Sequence, residues 1–167
     1  MRKETNNPID AVYFKMLSLE AALSDFDDEA LIDEIRLLPD LSQKDSVGRT
    51  ILINAVSCRR TKIVTALLTM GIDINEKDGM GYTALHEAVF VGDCSIVELL
   101  ISNGCNINAC DNFGNTPIMR ANLKTPKDIF KLLISNGALP HHKNNYGVCA
   151  EDIFVAHPEI LEIFKHH

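Results

Sequence analysis

The stretch Asp78-Gly79-Met80-Gly81-Tyr82-Thr83-Ala84-Leu85-His86-Glu87-Ala88-Val89 decides the fold, together with its continuation through Gly92-Asp93 into Ile96-Val97-Glu98-Leu99-Leu100-Ile101-Ser102-Asn103-Gly104. Asp78 to Tyr82 reads as a turn, since its glycines can take positive φ without a Cβ clash. Thr83 is placed to cap a short helix with apolar positions Ala84, Leu85, Ala88 and Val89. Gly92-Asp93 breaks that helix. A second helix then carries Ile96, Val97, Leu99, Leu100 and Ile101 as core positions, and Gly104 stands where a helix C′ glycine belongs. Cys105-Asn106-Ile107-Asn108 is extended and leads into the next turn. One such helix pair cannot bury its own apolar faces, so copies must stack against it.

The copies are present. Gly48, Gly81, Gly114 and Gly147 fall at one fixed interval, and Gly71, Gly104 and Gly137 keep the same interval. So do Ala55, Ala88 and Ala121, and so do Ile63, Ile96 and Ile129. The period sets full units at 45–77, 78–110 and 111–143, a shortened unit at 144–167 and a terminal helix pair within 1–44, all in one domain. Asn7-Pro8 opens the first helix of that terminal pair, which runs to about Ser24 and places Ala22 in register with Ala55. Asp27 or Asp28 caps its second helix, which ends before Pro39. Residues 144–167 open with Asn144-Asn145-Tyr146-Gly147 and finish with a helix from His157-Pro158 through Ile160, Leu161, Ile163 and Phe164.

This pattern closely resembles the ankyrin repeat family, whose Thr-Pro-Leu-His-x-Ala motif stands here as Thr83-Ala84-Leu85-His86-Glu87-Ala88 and again as Thr116-Pro117-Ile118-Met119-Arg120-Ala121. The resemblance implies an all-α solenoid of stacked helix-turn-helix units with β-hairpin-like turns. It also implies that His86 ties neighbouring hairpins together by hydrogen bonds. Ile53 and Met119 hold the equivalent positions and cannot do so. In the 111–143 unit, Asn122 takes a usually small apolar position and Thr125-Pro126 replaces the glycine break. Thr125 is expected as N-cap and Pro126 at the first helical position, with a slightly altered first helix before them.

Composition bounds the function. The 167 residues carry 16 basic and 23 acidic side chains, for a net charge of −7, which disfavours nucleic acid and anionic membrane as partners. No apolar run is long enough to span a bilayer, and the N-terminus has no apolar core of a secretory signal. Five cysteines without a tight framework point to reduced thiols in a cytoplasmic protein. His166-His167 carries no argument.

Catalytic and metal chemistry finds no constellation. His86-Glu87 begins a zincin-like string, but Phe90 stands where its second histidine is needed. No Cys-x-x-Cys pair occurs, and His141-His142 alone make a poor tetrahedral site. The glycines follow the repeat and lack the Gly-Lys-Ser/Thr ending of a phosphate loop. Cys105 reads as an inert packing thiol. The expectation is a non-catalytic protein with no cofactor and no metal.

The resemblance implies a protein ligand docked on the concave side, on hairpin tips and outward positions of the first helices. Those positions hold Ser46, Val47, Arg49, Ser57 and Cys58, then Met80, Tyr82, Phe90 and Val91. In the next unit they hold Asn112, Phe113, Asn115, Leu123 and Lys124, and last Asn145, Tyr146 and Val148. The expected binding residues are Val47, Arg49, Met80, Tyr82, Phe90, Val91, Phe113, Asn115, Leu123 and Tyr146, with Tyr82, Phe90 and Phe113 at the centre, because exposed aromatics and Met mark interfaces. A second feature is acidic: Glu20, Asp25, Asp27, Asp28, Glu29, Asp33 and Glu34 occur without a Lys or Arg among them. They serve either as a solvated cap face or as a landing patch for a basic partner. The sequence therefore predicts a monomeric protein-binding module. The alternative is an immunity or inhibitor protein that covers the active site of a toxin or a basic enzyme.

Overall fold

The computed structural model describes residues 8–12 and 28–165. Residues 8–12 are helical and bury Ile9 and Val12. The rest of the expected first helix, with Ala22, falls outside the described residues. The helices that follow are α1 (Asp28–Arg36), α2 (Ile51–Ser57), α3 (Thr61–Thr69), α4 (Ala84–Val91), α5 (Cys94–Ser102), a 3-10 turn (Pro117–Arg120), α6 (Lys127–Ser135), α7 (Ala150–Ile153) and α8 (Pro158–Phe164). No strand forms among the described residues.

The elements stack as two layers. In the first, α2 packs on α4, α4 on the 3-10 turn, and that turn on α7. In the second, α1 packs on α3, α3 on α5, α5 on α6, and α6 on α8. One continuous buried cluster runs between the layers from Ile9 to Phe164. The two-layer order follows from the fixed period, because each helix meets its own counterpart in the next unit. Of the paired leucines in α5, Leu100 is fully buried, whereas Leu99 only packs against the edge of the core.

Local chemistry fixes the helix ends. Thr50 Oγ1 accepts from Ile53 N at 3.2 Å and Asp93 Oδ1 from Ile96 N at 3.1 Å, each satisfying an otherwise orphaned N–H. Behind α5, Gly104 N donates to Ile101 O at 3.0 Å and Cys105 N to Leu100 O at 3.2 Å, the paired closure of a Schellman motif. Gly137 and Ala138 repeat it behind α6, donating to Ile134 O and Leu133 O.

The unit at 111–143 departs from expectation. Its first helix shrinks to the 3-10 turn, and Ala121 is already extended at ψ 150. Thr125 is not the N-cap of α6; Pro126 occupies that position, without a side-chain cap bond. Thr125 is buried and its hydroxyl accepts from Asn122 N at 2.9 Å. The cause lies at the register shared by Arg59, Gly92 and Thr125. Arg59 (φ 54) and Gly92 (φ 71) leave their helices through the left-handed region. Thr125 is β-branched and precedes a proline, so that exit is closed to it. The chain leaves the helix early instead, and Asn122 Oδ1 holds the resulting loop by accepting from Lys124 N at 2.8 Å.

The far end is sealed by rings. Phe130, Phe154 and Phe164 are buried against one another, with Phe130 and Phe154 edge to face at 5.1 Å.

Candidate functional site

The turns between units are built alike. Asp45, Asp78, Asp111 and Asn144 recur at the repeat interval, and the Oδ1 of each accepts two backbone N–H groups from its own turn at 2.8–3.0 Å. Each turn is closed by a 2.9 Å backbone bond, from Asp45 N to Arg49 O and so on to Asn144 N to Val148 O. Neighbouring turns are then stitched. Asn112 N donates to Met80 O at 3.1 Å, Asn145 N to Phe113 O at 3.0 Å, and Asn112 Nδ2 to Gly79 O at 3.1 Å. Lys44 Nζ donates to Lys77 O at 2.6 Å and Lys77 Nζ to Cys110 O at 2.8 Å, each reaching one full repeat onward.

This scaffold pushes one side chain outward at the same point of every turn. Val47, Met80, Phe113 and Tyr146 occupy equivalent positions in successive units and are 73, 47, 38 and 72% exposed. They form an apolar stripe across the turn tips. Beside it, Phe90 is 46% and Leu123 76% exposed on the inner layer.

The other expected binding residues are drawn partly into the fold. Tyr82 is half-buried: its ring lies 5.6 Å from the His86 ring and under the Arg120 guanidinium at 4.3 Å. The same guanidinium lies 4.6 Å from the centre of Phe90, so one cation covers two rings. Arg120 was not singled out from the sequence, although it holds the position in its unit that Glu87 holds in the unit before. Asn115 is a structural residue. Its Nδ2 donates to Asp111 Oδ2 at 2.9 Å, its Oδ1 accepts from Asn144 Nδ2 at 2.7 Å, and its carbonyl receives His86 Nε2 at 3.1 Å. Val91 and Arg49 are half-buried, and Cys58 lies in the core rather than on the outward face.

A cleft opens beside Phe90. Side chains from both flanking units reach the last carbonyls of α4 beside it. Asn122 Nδ2 donates to Phe90 O at 3.0 Å, Thr125 Oγ1 to Val89 O at 3.4 Å, and the Arg59 guanidinium to Val91 O. Arg59 also faces Asp93 at 3.9 Å.

The acidic patch is partly neutralised. Asp28 lies 3.6 Å from the Arg60 guanidinium, and Asp33 bonds Arg36 at 2.8 Å. Glu20, Asp25 and Asp27 fall outside the described residues. Of the cysteines, burial pushes the Cys105 thiol up to about 11, as suits a packing group. One pair comes together that spacing did not predict, with Cys110 Sγ 3.5 Å from His142 Nε2. That nitrogen also sits 3.2 Å from the Gly114 carbonyl, which only accepts, so Nε2 carries a proton and cannot take one from the thiol. Among the described residues no three His, Cys, Asp or Glu side chains converge as for a metal, and no helix is long and apolar enough to cross a membrane.

The profile of ankyrin repeats (3 copies) matches residues 19–111 and 77–144. The chain belongs to the ankyrin repeat family. Ankyrin repeats are in general protein-protein interaction modules and typically non-catalytic, which agrees with stacked units that each expose an apolar side chain at the turn tip. The hydrogen bonds of His86 are those expected of the ankyrin motif histidine, holding its own turn and reaching the next. No curated protein matches the chain at a significant level.

Proposed function

We propose that this ankyrin protein binds a partner protein across its turn tips and the adjoining inner-layer residues, the side that is concave in the family's fold. The stripe Val47, Met80, Phe113 and Tyr146 carries the reading, because four successive units each expose an apolar side chain where the turn itself needs none. Phe90 and Leu123 extend it. Tyr82 supports it from beneath Arg120. The test compares melting temperature and capture of proteins from the native host by wild type, Phe113→Ala and Tyr146→Ala. Loss of an anchoring aromatic costs about 2 kcal/mol, roughly thirtyfold in affinity, while these exposed rings add little to the fold. Variants that melt early yet capture the same partner defeat the proposal.

A narrower form makes the partner a toxin or another enzyme whose active site is covered. Blocking needs only a surface, and the stripe supplies one. This form requires that the captured partner lose activity at one-to-one stoichiometry. Retained activity in the complex leaves scaffolding or targeting. Five cysteines held as thiols suit a reducing, cytoplasmic setting.

A further inference from the structure

The cleft beside Phe90 has a volume of about 330 Å³ and is walled by Arg59, Phe90, Val91, Asn122, Lys124 and Thr125. We propose that it receives an acidic residue of the partner protein, with its carboxylate between Arg59 and Lys124 and an adjoining apolar side chain against Phe90. The proposal rests on the docking face argued above and names the chemistry that this face selects.

Three observations support it. First, the cleft offers unspent charged donors. The carbonyls of Phe90 and Val91 each already receive a side-chain donor, from Asn122 and Arg59 respectively. A cationic group entering there meets two like charges, Arg59 and Lys124, whereas a carboxylate meets unspent N–H donors. Arg59 carries five donors, one of which goes to Val91 O, and its side chain is half exposed. The Lys124 ammonium, on the exposed loop after the 3-10 turn, makes no bond or ion pair within the described residues; only the backbone N–H of Lys124 is engaged. Second, the charge around the cleft is positive in a protein of net charge −7. Arg120 adds a third cation over the Phe90 ring. Among the described residues no acidic side chain lines the cleft: Asp93 faces Arg59 at 3.9 Å but is not part of its wall, and Glu87 lies one turn before Phe90 on α4. Third, Arg59 holds a left-handed backbone at φ 54 at the register where the next unit uses Gly92. A side chain kept at such a position places its guanidinium across the junction between two units, at the mouth of the cleft. Phe90 supplies the apolar wall, so the ligand is amphipathic: an Asp or Glu, or a terminal carboxylate, next to an aromatic or aliphatic residue.

The test selects short random peptides displayed against the full-length protein at low salt, then titrates the enriched peptides with wild type, Lys124→Glu, Lys124→Arg, Phe113→Ala and Tyr146→Ala. The expected result is enrichment of Asp or Glu beside an apolar residue, with affinity that falls as salt is raised. Lys124→Glu should weaken these peptides at least about tenfold and Lys124→Arg should restore them. The Lys124 side chain is exposed and holds nothing in place, so its variants keep the fold; an unchanged melting temperature verifies that. Selection of basic peptides, or no acidic enrichment, overturns the proposal. So does an affinity indifferent to Lys124→Glu. If such peptides still weaken with Phe113→Ala or Tyr146→Ala, the docking face stands and only the cleft assignment falls. If no variant matters, both fall.

Discussion

His86 uses both ring nitrogens. Nδ1 accepts from Thr83 N at 3.1 Å and Nε2 reaches Asn115 O at 3.1 Å, which fixes a neutral tautomer with the proton on Nε2. Replacement by Phe keeps the volume but orphans a buried N–H and weakens the tie to the next turn, at a cost of about 2–3 kcal/mol, read as a lower melting temperature. Burial, the largest influence, holds the His86 pKa below the ordinary 6.5. The unfolded chain therefore takes up the proton first as pH falls. The His86 contribution is complete above about 6.5 and is lost as pH drops through the lower folded value. Urea melts at several pH values should show a decline below 6.5 that is shallower in His86→Phe. Glycines make a second residue-scale comparison. Gly81 and Gly104 share φ near 80, at 83 and 80, but a Cβ on Gly81 would lie 2.6 Å from Asn112 N, whereas Gly104 faces open space. Gly104→Ala should cost about 1–2 kcal/mol for the left-handed backbone alone, and Gly81→Ala clearly more. Equal costs would mean that the turns are not stitched as described.

At the scale of elements, the 3-10 turn shows what a sequence does and does not reveal. The paired helices and the Gly104 ending were legible because a repeat averages over local ambiguity: each apolar position is read several times. The shortened helix was legible only as an alteration. Thr125-Pro126 looks like a sound start for α6, yet its stronger effect falls backwards, on the exit of the helix before it. Replacing the pair by Gly-Asp, as in Gly92-Asp93, restores the left-handed exit and an Asp N-cap. Residues 117–124 should then gain amide protection and the protein should gain helical ellipticity; unchanged exchange would mean that Asn122 holds the loop open by itself. The candidate site was legible in the same graded way. Val47, Met80, Phe113 and Tyr146 were readable because they recur on exposed turns. Arg120 was missed because it acts through Tyr82 and Phe90, which belong to the preceding unit and are distant in the chain. Asn115 was misplaced because, besides Asp111 in its own turn, its bonds go to Asn144 and His86, which lie in the neighbouring units.

Across the whole molecule, stability is a sum over junctions, because each unit packs against its neighbours. A core deletion therefore acts differently at the centre and at an end. Leu100 is buried at the middle of the stack, between α3 and α6, so Leu100→Ala should cost about 2–5 kcal/mol and lower the melting of the entire chain. Leu99→Ala, at the edge of the same helix, should cost much less. Phe164 is nearly as buried as Leu100, but it lies in α8, whose extensive contacts are with α6. Phe164→Ala removes a ring from the Phe130 and Phe154 cluster and leaves a cavity at the last junction. That loss can be met by releasing α8 without opening the rest. Amide exchange should accordingly show protection lost over 150–165 in Phe164→Ala while α4 and α5 keep theirs, and protection lost throughout in Leu100→Ala. A uniform loss in both variants would mean that the chain unfolds as one cooperative unit. The turn-tip stripe would then be a rigid array rather than a set of sites that a partner can engage separately.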